Sequence, residues 1–498
     1  MNAPFPRRTL LAAGCGLPLL GCSARTPLPQ NHFRLGVSGR PRSLDPRRAT
    51  DALSSRLNRL LYEAPVDFNA RFEPVPALMD WQQTAPLRWV FALRKSTRFH
   101  DGTPLTAEDV AATYASVLDP ATASPHRGGL KHVQRVRALD GQRVQFDLTH
   151  VDALFPGRLT IGVLPRRLMK AGHDFNRQPL GSGPCRFVDA NEQRTRLQRP
   201  DGALLEFIKV KDPLVQVLKL RKGELDWIQG GLSPELVRYC AARPELAVQW
   251  HRGTNFAYIG FNFRDSWLSQ QPIREAIALG IDRAAIVQAL FDNHARLAGA
   301  LLPPEHWAGL KNWSGYPYDP GRARALLESA IGQGQRLSLS YKTSANPLRL
   351  RLAAIYQSML REIGIDLTIQ SYDWGTFYAD IKAGRFQLYS LAWVGIKSPD
   401  IFQYVFHSQA VPPAGANRGH YANPEVDRLI EAALAAQMFA EQQRLYGQLQ
   451  RVLAETVAQV PLWYEDQYAV LHRSVSGYTL AADGRYDGVL TMRRVQHG

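Results

Sequence analysis

The chain has 498 residues, of which 45% are hydrophobic and 21% charged, as is typical of a folded globular protein. A single hydrophobic core stops growing at about 250–300 residues, so more than one packed unit is expected. Beyond the N-terminus no run of roughly 18 apolar residues occurs that could span a bilayer. The net charge of +16 comes from scattered arginines rather than one basic stripe, so nucleic-acid binding is not expected.

The N-terminal residues have the layout of a secretory signal. Arg7 and Arg8 precede a short apolar run from Leu10 to Leu20, and no acidic residue occurs before Asp45. The run is too short to span a membrane and ends in small residues, which is typical of a signal peptide. The arginine pair also resembles a twin-arginine signal, so the export route, twin-arginine or general secretory, stays open.

A cysteine follows this apolar run. The string Leu19-Leu20-Gly21-Cys22 resembles a bacterial lipobox, in which the cysteine becomes the lipidated first residue after cleavage. We therefore predict a signal peptide over residues 1–21, lipidation at Cys22 and a tether over residues 22–32. These export signals predict a protein of the periplasm or cell envelope that is anchored to the membrane at Cys22. A plain signal peptide with an incidental cysteine is the alternative.

The rest of the chain alternates short β-rich runs with amphipathic helices, which predicts an α/β fold. Phe33 to Val37 and Trp89 to Leu93 have strand patterns, and Thr106 can cap a helix through the backbone N–H of Asp109. The later elements are predicted from helix caps at Asp282, Asp319-Pro320 and Asn423-Pro424, an apolar stripe from Leu348 to Ile363 that Gly364 closes, and strand patterns at 365–369 and 386–393.

Two cysteines remain in the body of the chain, Cys185 and Cys240. Their spacing fits neither a zinc site nor a disulfide framework. A single bridge between them would suit an oxidising compartment, and two separate buried thiols suit the sequence at least as well.

Several short strings along the body of the chain resemble motifs of a single protein family. The most specific runs from Arg98 to Val110 and reads RFHDGTPLTAEDV; another is Ser43-Leu44-Asp45-Pro46. Further strings that resemble motifs of this family lie at 179–184, 223–226, 277–282, 393–400 and 461–464. Together they resemble the family-5 extracellular solute-binding proteins, the peptide, dipeptide and nickel-binding group of ABC importers, from about residue 33 to the C-terminus.

The resemblance implies a bilobal, periplasmic-binding-protein-like α/β fold that encloses its ligand between two lobes. Lobe I is expected at 33–259 plus 470–498, with an extra subdomain at about 70–165 that contains the RFHDGTPLTAEDV string. Lobe II is expected at 260–469.

The hinge and the mechanism follow from the same resemblance. The hinge is expected near Tyr258 to Gly260 and Gln467 to Val470. An open cleft would admit a small polar solute, most plausibly a peptide, and close because both lobes contact it. The expected partners are the solute, an ABC permease with its ATPase, and the membrane through the lipid anchor. The protein is expected to be a monomer that binds no nucleic acid.

Ligand contacts are expected in both lobes. Trp393 is the strongest candidate, because it ends a predicted strand at the position where the family places an aromatic side chain against the ligand. Tyr389 and Trp374 are weaker candidates of the same kind. Asn262 beside Phe261 would offer an amide next to an apolar wall, although Phe261 suits a core strand equally well. The remaining predicted contacts are Ser43, Tyr62, Ser182 and Asn417.

The loop after Trp393 departs from the family pattern. Peptide-binding members commonly carry an Asp there that pairs with the α-ammonium group of the ligand. Here the expected acidic positions hold Ile396 and Ser398, with Lys397 between them, and Asp400 follows a proline. Either Asp400 or a remote acid replaces the anchor, or the ligand lacks an ammonium group and Lys397 contacts an anionic group. Lys397, Ser398 and Asp400 are therefore all predicted ligand contacts.

Two polar motifs are interpreted as structural. His100-Asp101 invites a catalytic interpretation, but Asp101 to Pro104 has turn composition that explains each residue. Gly181 to Pro184 lacks the Lys-Ser/Thr ending of a phosphate-binding loop, and its glycines suit a tight turn near the cleft.

Two rival classes of function remain. An enzyme is disfavoured because no G-x-S-x-G, H-E-x-x-H or Walker motif occurs, so no catalytic residues are predicted. No cofactor is expected, and the dispersed histidines suggest no metal site. Some relatives fuse this module to a DNA-reading helix-turn-helix, but the N-terminal export segment leaves no room for one. A ligand-sensing module and a binder of an anionic or metal-chelate solute stay as alternatives.

Overall fold

The computed structural model of the protein describes residues 31–495. The strands within this range are β1 (His32–Val37), β2 (Val66–Phe68), β3 (Pro74–Pro76), β4 (Met79–Ala85), β5 (Arg88–Leu93), β6 (Val133–Ala138), β7 (Arg143–Leu148), β8 (Arg186–Ala190), β9 (Arg194–Gln198), β10 (Leu204–Lys209), β11 (Trp227–Gln229), β12 (Leu246–Phe261), β13 (Ala295–Leu297), β14 (Leu337–Ser344), β15 (Ile365–Tyr372), β16 (Leu388–Trp393), β17 (Val460–His472), β18 (Val475–Ser476) and β19 (Arg493–Arg494). The helices are α1 (Ala52–Leu61), α2 (Ala107–Leu118), α3 (Arg166–Lys170), α4 (Pro213–Arg221), α5 (Pro234–Ala241), α6 (Gln271–Leu279), α7 (Arg283–Phe291), α8 (Pro320–Ile331), α9 (Pro347–Glu362), α10 (Trp374–Lys382), α11 (Ile401–Phe406), α12 (Pro424–Ala435) and α13 (Phe439–Glu455).

A continuous sheet of eleven strands runs through the molecule. Its order is β15-β14-β16-β12-β17-β11-β1-β10-β9-β8, and β13 pairs with β17 beside this path. β1 is parallel to both neighbours, β10 and β11, and β14 is parallel to β15 and β16. Parallel strands need both faces covered, which agrees with the helices that alternate with them along the chain.

Two long antiparallel strands, β12 and β17, carry the sheet from one half of the molecule to the other. Their pairing runs from Leu246 opposite His472 to Ile259 opposite Val460, with one break in register between Ala257 and Tyr258 and another between His251 and Asn255. At this break Gly253 lies so close to the other strand that a Cβ atom would overlap the carbonyl oxygen of Glu465. The crossing point is therefore a close backbone contact that only glycine fits.

The buried side chains separate into clusters on the two sides of this crossing. One side holds two clusters built from residues 256–464, which also bury Leu154. The other side holds clusters from residues 33–246 and 469–492. The molecule is therefore bilobal, as predicted, and β12 and β17 join the lobes. One register break adjoins Tyr258 to Gly260, a segment expected to be part of the hinge, and Gln467 of the other expected hinge segment lies opposite His251 at the other break.

A smaller unit belongs to the N-terminal lobe. The antiparallel sheet β4-β5-β7-β6 packs with α2 around a cluster of buried residues from Val66 to Val163. The helix begins as the sequence predicts, because Thr106 and Asp109 form a capping box. This unit is the expected extra subdomain of the fold.

The local signals for the later helices are confirmed. Asp282, Asp319 and Asn423 each accept hydrogen bonds from backbone N–H groups in the first turn of α7, α8 and α12. Gly364, which follows α9, has a φ of +100°, a conformation that favours glycine.

The two cysteines of the body are free and buried, which agrees with the second of the two alternatives. Cys185 and Cys240 belong to different buried clusters. Burial raises the pKa of the Cys185 thiol to about 12 and that of Cys240 to about 11, so both are protonated at neutral pH. Among the helices described here, none is long and apolar enough to cross a membrane.

Candidate functional site

The loop between β16 and α11 reaches from the second lobe onto the first. Lys397 Nζ lies 3.0 Å from a carboxylate oxygen of Asp483, which belongs to the C-terminal part of lobe I. Asp400 accepts a hydrogen bond from Arg158 of the extra subdomain at 2.5 Å. Both charged residues that the sequence proposes as ligand contacts are thus paired across the lobes. We call Lys397–Asp483 and Asp400–Arg158 the inter-lobe ion pairs.

The surroundings of Arg158 and Asp483 favour the charged forms of these two side chains. The side chain of Arg158 is only 12% exposed and also contacts Asp152 at 2.6 Å. Burial alone would raise the pKa of Asp483, but Lys397 and Arg485 beside it lower that pKa below its usual value. Charge-assisted contacts of this kind are stronger than neutral hydrogen bonds, so the loop is held firmly against lobe I.

An uncharged contact lies beside the ion pairs. The ring of Phe72 in lobe I stacks on His306 of lobe II, with 5.2 Å between ring centroids. His306 Nε2 lies 3.1 Å from the carbonyl oxygen of Lys397, and its Nδ1 accepts from the backbone N–H of Ala308. Burial lowers the pKa of His306 to about 4, and the Lys397 carbonyl opposes this only in part. The imidazole is therefore neutral at pH 7.

Beside this loop, Trp393 belongs to a group of rings that surrounds one guanidinium. Its ring is stacked parallel to Tyr258, with 6.5 Å between centroids, and the hydroxyls of Tyr258 and Tyr389 are 3.4 Å apart. Arg418 donates a hydrogen bond to the Tyr258 hydroxyl at 3.0 Å and lies over the Trp393 ring at 5.0 Å. Tyr378 stands on the other side of the same guanidinium. We call these five residues the aromatic cluster.

The aromatic cluster continues into exposed apolar surface. Trp374 stacks on Tyr378 and is 57% exposed, and Tyr404 packs edge-on against Trp393 and is 48% exposed. Val394, next to Trp393, is exposed as well. Exposed aromatic side chains beside a buried polar group are typical of a binding surface.

Several buried polar atoms near the crossing strands lack a partner. They include Thr254 Oγ1 and Asn255 Oδ1 on β12, Gln467 Nε2 on β17, and Trp393 Nε1. Buried polar groups without hydrogen bonds are uncommon in folded proteins, because their desolvation is uncompensated. A guest molecule could supply the partners that these atoms lack.

Three of the predicted ligand contacts have structural roles: two amide side chains bond to backbone carbonyls, and one phenyl ring is buried. Asn262 donates to the carbonyl oxygens of Gly384 and Phe386, and Asn417 donates to those of His407 and Tyr421. Phe261 is 2% exposed within a buried cluster of lobe II. These side chains hold loops and strands together in this structure.

Of the predicted contacts in lobe I, Tyr62 and Ser43 have structural partners. The hydroxyl of Tyr62 donates to the carbonyl oxygen of Leu44, and Ser43 bonds with the backbone of Asp45. Ser182 Oγ is buried without a partner, whereas Ser398 lies on the loop that joins the lobes and accepts from the backbone N–H of Ile401 through its carbonyl.

The two motifs that were interpreted as structural, His100-Asp101 and Gly181 to Pro184, are hydrogen-bonded to each other. The backbone N–H of His100 donates to the carbonyl oxygen of Gly181, and His100 Nε2 lies 2.9 Å from that of Gly183. Asp101 accepts from Thr103 within the turn. Both strings thus form one packed corner of lobe I.

Sequence reasoning missed four residues of this region: Arg158, Arg418, Asp483 and, except as a hinge residue, Tyr258. Each acquires its role from a partner far away in the sequence, as Arg158 does from Asp400 and Arg418 does from Tyr258. No local motif marks them. Over residues 31–495, no group of three or more His, Cys, Asp or Glu side chains is arranged to hold a metal ion.

Comparison with known proteins agrees with this architecture. The sequence model of the bacterial extracellular solute-binding proteins, family 5, matches residues 71–411. A probable di/tripeptide-binding protein 5 of Pseudomonas aeruginosa (strain UCBPP-PA14) is 30% identical over 477 residues, which cover 86% of this chain and 88% of that protein. Heme-binding protein A of Haemophilus influenzae is 25% identical over 445 residues, 80% of each chain.

Solved structures share the fold. The ABC transporter substrate-binding protein CtaP of Listeria monocytogenes superposes with a TM-score of 0.84 at 22% identity, over 93% of this chain and 99% of that one. The family model spans well over half of the sequence. The chain therefore belongs to the family-5 bacterial extracellular solute-binding proteins.

Proposed function

We propose that the protein captures a short peptide between its two lobes and delivers it to an ABC importer. The most similar of the relatives described above is named as a di/tripeptide-binding protein, which supports a guest of two or three residues. The guest would bind to the aromatic cluster of lobe II, with Trp393 as its main apolar contact, and leave unaltered.

One observation carries this proposal: a single loop of lobe II lies next to the aromatic cluster and also makes the inter-lobe ion pairs. A guest that packs on Trp393 is thereby placed where it favours the position of this loop against lobe I. A ligand shifts such an equilibrium only through its different affinity for the two states. The unpaired polar atoms of Thr254, Asn255 and Gln467 support a guest that also contacts the crossing strands.

The cellular setting is part of the same proposal. The export segment and the lipobox-like string support a mature protein anchored at Cys22 in the cell envelope. The closed, loaded form would dock on a membrane permease that is driven by a cytoplasmic ATPase. We propose that the protein acts as a monomer without catalytic chemistry or nucleic-acid binding.

Calorimetry with di-, tri- and pentapeptides tests the guest. We expect di- or tripeptides to bind with one guest per chain, and small-angle scattering to show compaction on binding. Mass spectrometry of the guest recovered after denaturation should return the peptide unchanged. Failure of every peptide to bind, or recovery of a cleaved or modified guest, would contradict the proposed function.

A second candidate guest is an anionic solute that is not a peptide. The departure at Ile396 and Ser398 supports it, because the loop lacks the acids that would hold an ammonium group. The heme-binding relative shows that proteins similar to this one differ in their guests. N-acetylated peptides separate the two candidates: loss of binding on acetylation requires a free ammonium group and contradicts a guest without one.

A further inference from the structure

Arginines that are almost fully buried fall into two kinds in this protein. Within residues 31–495, four arginines are less than 9% exposed: Arg199, Arg274, Arg283 and Arg418. Arg274 and Arg283 each donate to four backbone carbonyl oxygens, which fixes neighbouring loops. Arg199 donates to two carbonyls and to the carboxylate of Asp201. These three have acceptors that belong to the fold itself.

Arg418 is different. Its hydrogen-bond partners are phenolic oxygens, those of Tyr258 at 3.0 Å, Tyr378 at 3.4 Å and also Tyr389. In the part of the chain that the structure describes, no carboxylate lies within 4.0 Å of this guanidinium. A guanidinium carries five N–H donors, so much of its capacity stays available.

The rings around Arg418 compensate its charge only in part. The guanidinium lies over the faces of Trp393 and Tyr378, at 5.0 and 5.6 Å from the ring centroids. Cation–π contacts of this kind are worth about 0.5–2 kcal/mol, well below the cost of burying an unpaired charge. An anion at this position would supply the missing counter-charge.

A second donor lies in the same group. Trp393 Nε1 is buried and has no hydrogen-bond partner, although its ring touches the guanidinium. An indole N–H can only donate, so its missing partner must be an acceptor. Among the described residues, Arg418 has no anionic acceptor and Trp393 Nε1 has no acceptor at all, and these two neighbouring donors indicate a site for an oxygen-bearing anion.

We propose that Arg418 and the indole N–H of Trp393 bind a carboxylate of the guest. For a peptide this is the C-terminal carboxylate, with the exposed rings of Trp374 and Tyr404 beside the adjoining side chain. This inference rests on the proposed function, because it takes the aromatic cluster as the guest site. It assigns the anion to Arg418 rather than to Lys397, which is already paired with Asp483.

The test compares each peptide with its C-terminal amide by calorimetry on the full-length mature protein. For the natural protein we expect the free acid to bind about 10- to 100-fold more tightly than the amide. The Arg418→Gln variant should lose this preference, because glutamine keeps polar contact with the phenols but carries no charge. Arg428→Gln is the matched control, since Arg428 is exposed on α12 and pairs only with Glu425. It removes the same charge from the same lobe and should keep the preference.

Two further measurements make every outcome decisive. If Arg418→Gln fails to fold, Arg418→Lys is used instead. Lysine keeps the charge but lacks the planar set of N–H donors of the guanidinium group, so it should lower the preference for the acid over the amide. If no peptide binds, tryptophan fluorescence with propionate and with propionamide tests the anion site alone, with Trp393→Phe to identify the responding ring. Equal affinities for acid and amide would overturn the inference and leave peptide binding intact. No response to propionate in a protein that binds no peptide would overturn both.

Discussion

At the scale of single residues, the partner of a polar side chain decides whether it serves the fold or the guest. Asn262 was predicted to contact the ligand because an amide beside aromatic residues suits a cleft wall, and Asn417 was among the other predicted contacts. In the structure both amides are used by backbone carbonyls, for example those of Phe386 and Tyr421. Their sequence neighbourhood is the same in either role, so the sequence could not distinguish the two.

His306 makes the stability of the protein depend on pH. Its pKa is about 4 in the folded protein and about 6.5 when unfolded, so between these values only the unfolded chain binds the proton. Acidification from pH 6.5 to 4 therefore favours unfolding through this residue, by up to about 3 kcal/mol. Above pH 6.5 the residue has no effect of this kind.

Urea denaturation at several pH values checks this expectation. The difference in unfolding free energy between the natural protein and His306→Gln should shrink or reverse as the pH falls from 6.5 to 4. The two proteins compared at pH 7.5 serve as the reference. Parallel stability curves over this interval would contradict the role assigned to His306.

At the scale of secondary-structure elements, local signals were reliable where they depend on neighbours in sequence. The caps at Asp282 and Asp319 and the capping box of Thr106 were read from a few adjacent residues, and all are present. The strand at 386–393 begins two residues later than its pattern predicts, at Leu388. The pairing of β12 with β17 was not predicted, because it joins segments about two hundred residues apart.

Gly253 allows this strand pair to cross closely between the lobes. A Cβ atom there would overlap the Glu465 carbonyl, so Gly253→Ala must push the two strands apart. We expect a loss of about 1–3 kcal/mol in unfolding free energy. Gly447→Ala is the control, because Gly447 lies in α13 with no atom within 4 Å of the added methyl group.

The control should itself gain stability, since alanine is favoured over glycine in a helix by about 1 kcal/mol. Urea denaturation of both variants measures the two effects. If Gly253→Ala were as stable as the natural protein, the close crossing would not constrain the strands.

At the scale of the whole molecule, ion pairs join the two lobes, and they include two charged residues that were predicted to contact the ligand. Lys397 and Asp400 were expected to contact the ligand, and in the structure they pair with Asp483 and Arg158 of the other lobe. Their contribution to ligand binding stays a prediction. Because the two ion pairs join the lobes, we expect them to favour the arrangement of the lobes in this structure.

The double variant Lys397→Gln/Asp400→Asn tests this expectation. Without ligand it should be less compact than the natural protein, because both inter-lobe ion pairs are lost while Arg158 keeps its contact with Asp152. Small-angle scattering should give the variant a larger radius of gyration than the natural protein. The reference for a compact chain of this length is about 23 Å.

The matched control is Arg444→Gln/Glu441→Gln, which removes an exposed ion pair within α13. It should scatter like the natural protein. Adding about 1 M salt to the natural protein should reproduce part of the expansion, because salt screens charges that are partly exposed. An unchanged radius of gyration for the Lys397/Asp400 variant would show that these pairs do not hold the lobes.

The sequence by itself determined the family and the α/β, bilobal fold, because the RFHDGTPLTAEDV string and the helix caps are local patterns. It also identified Trp393 as the residue to examine. Only the tertiary structure decided which charges are free and which are paired. Asp400 and Arg158 are 242 residues apart, and Tyr258 and Arg418 are 160 apart. Their meeting depends on how two lobes and two crossing strands pack, and this information is spread over the whole chain rather than written in any one segment.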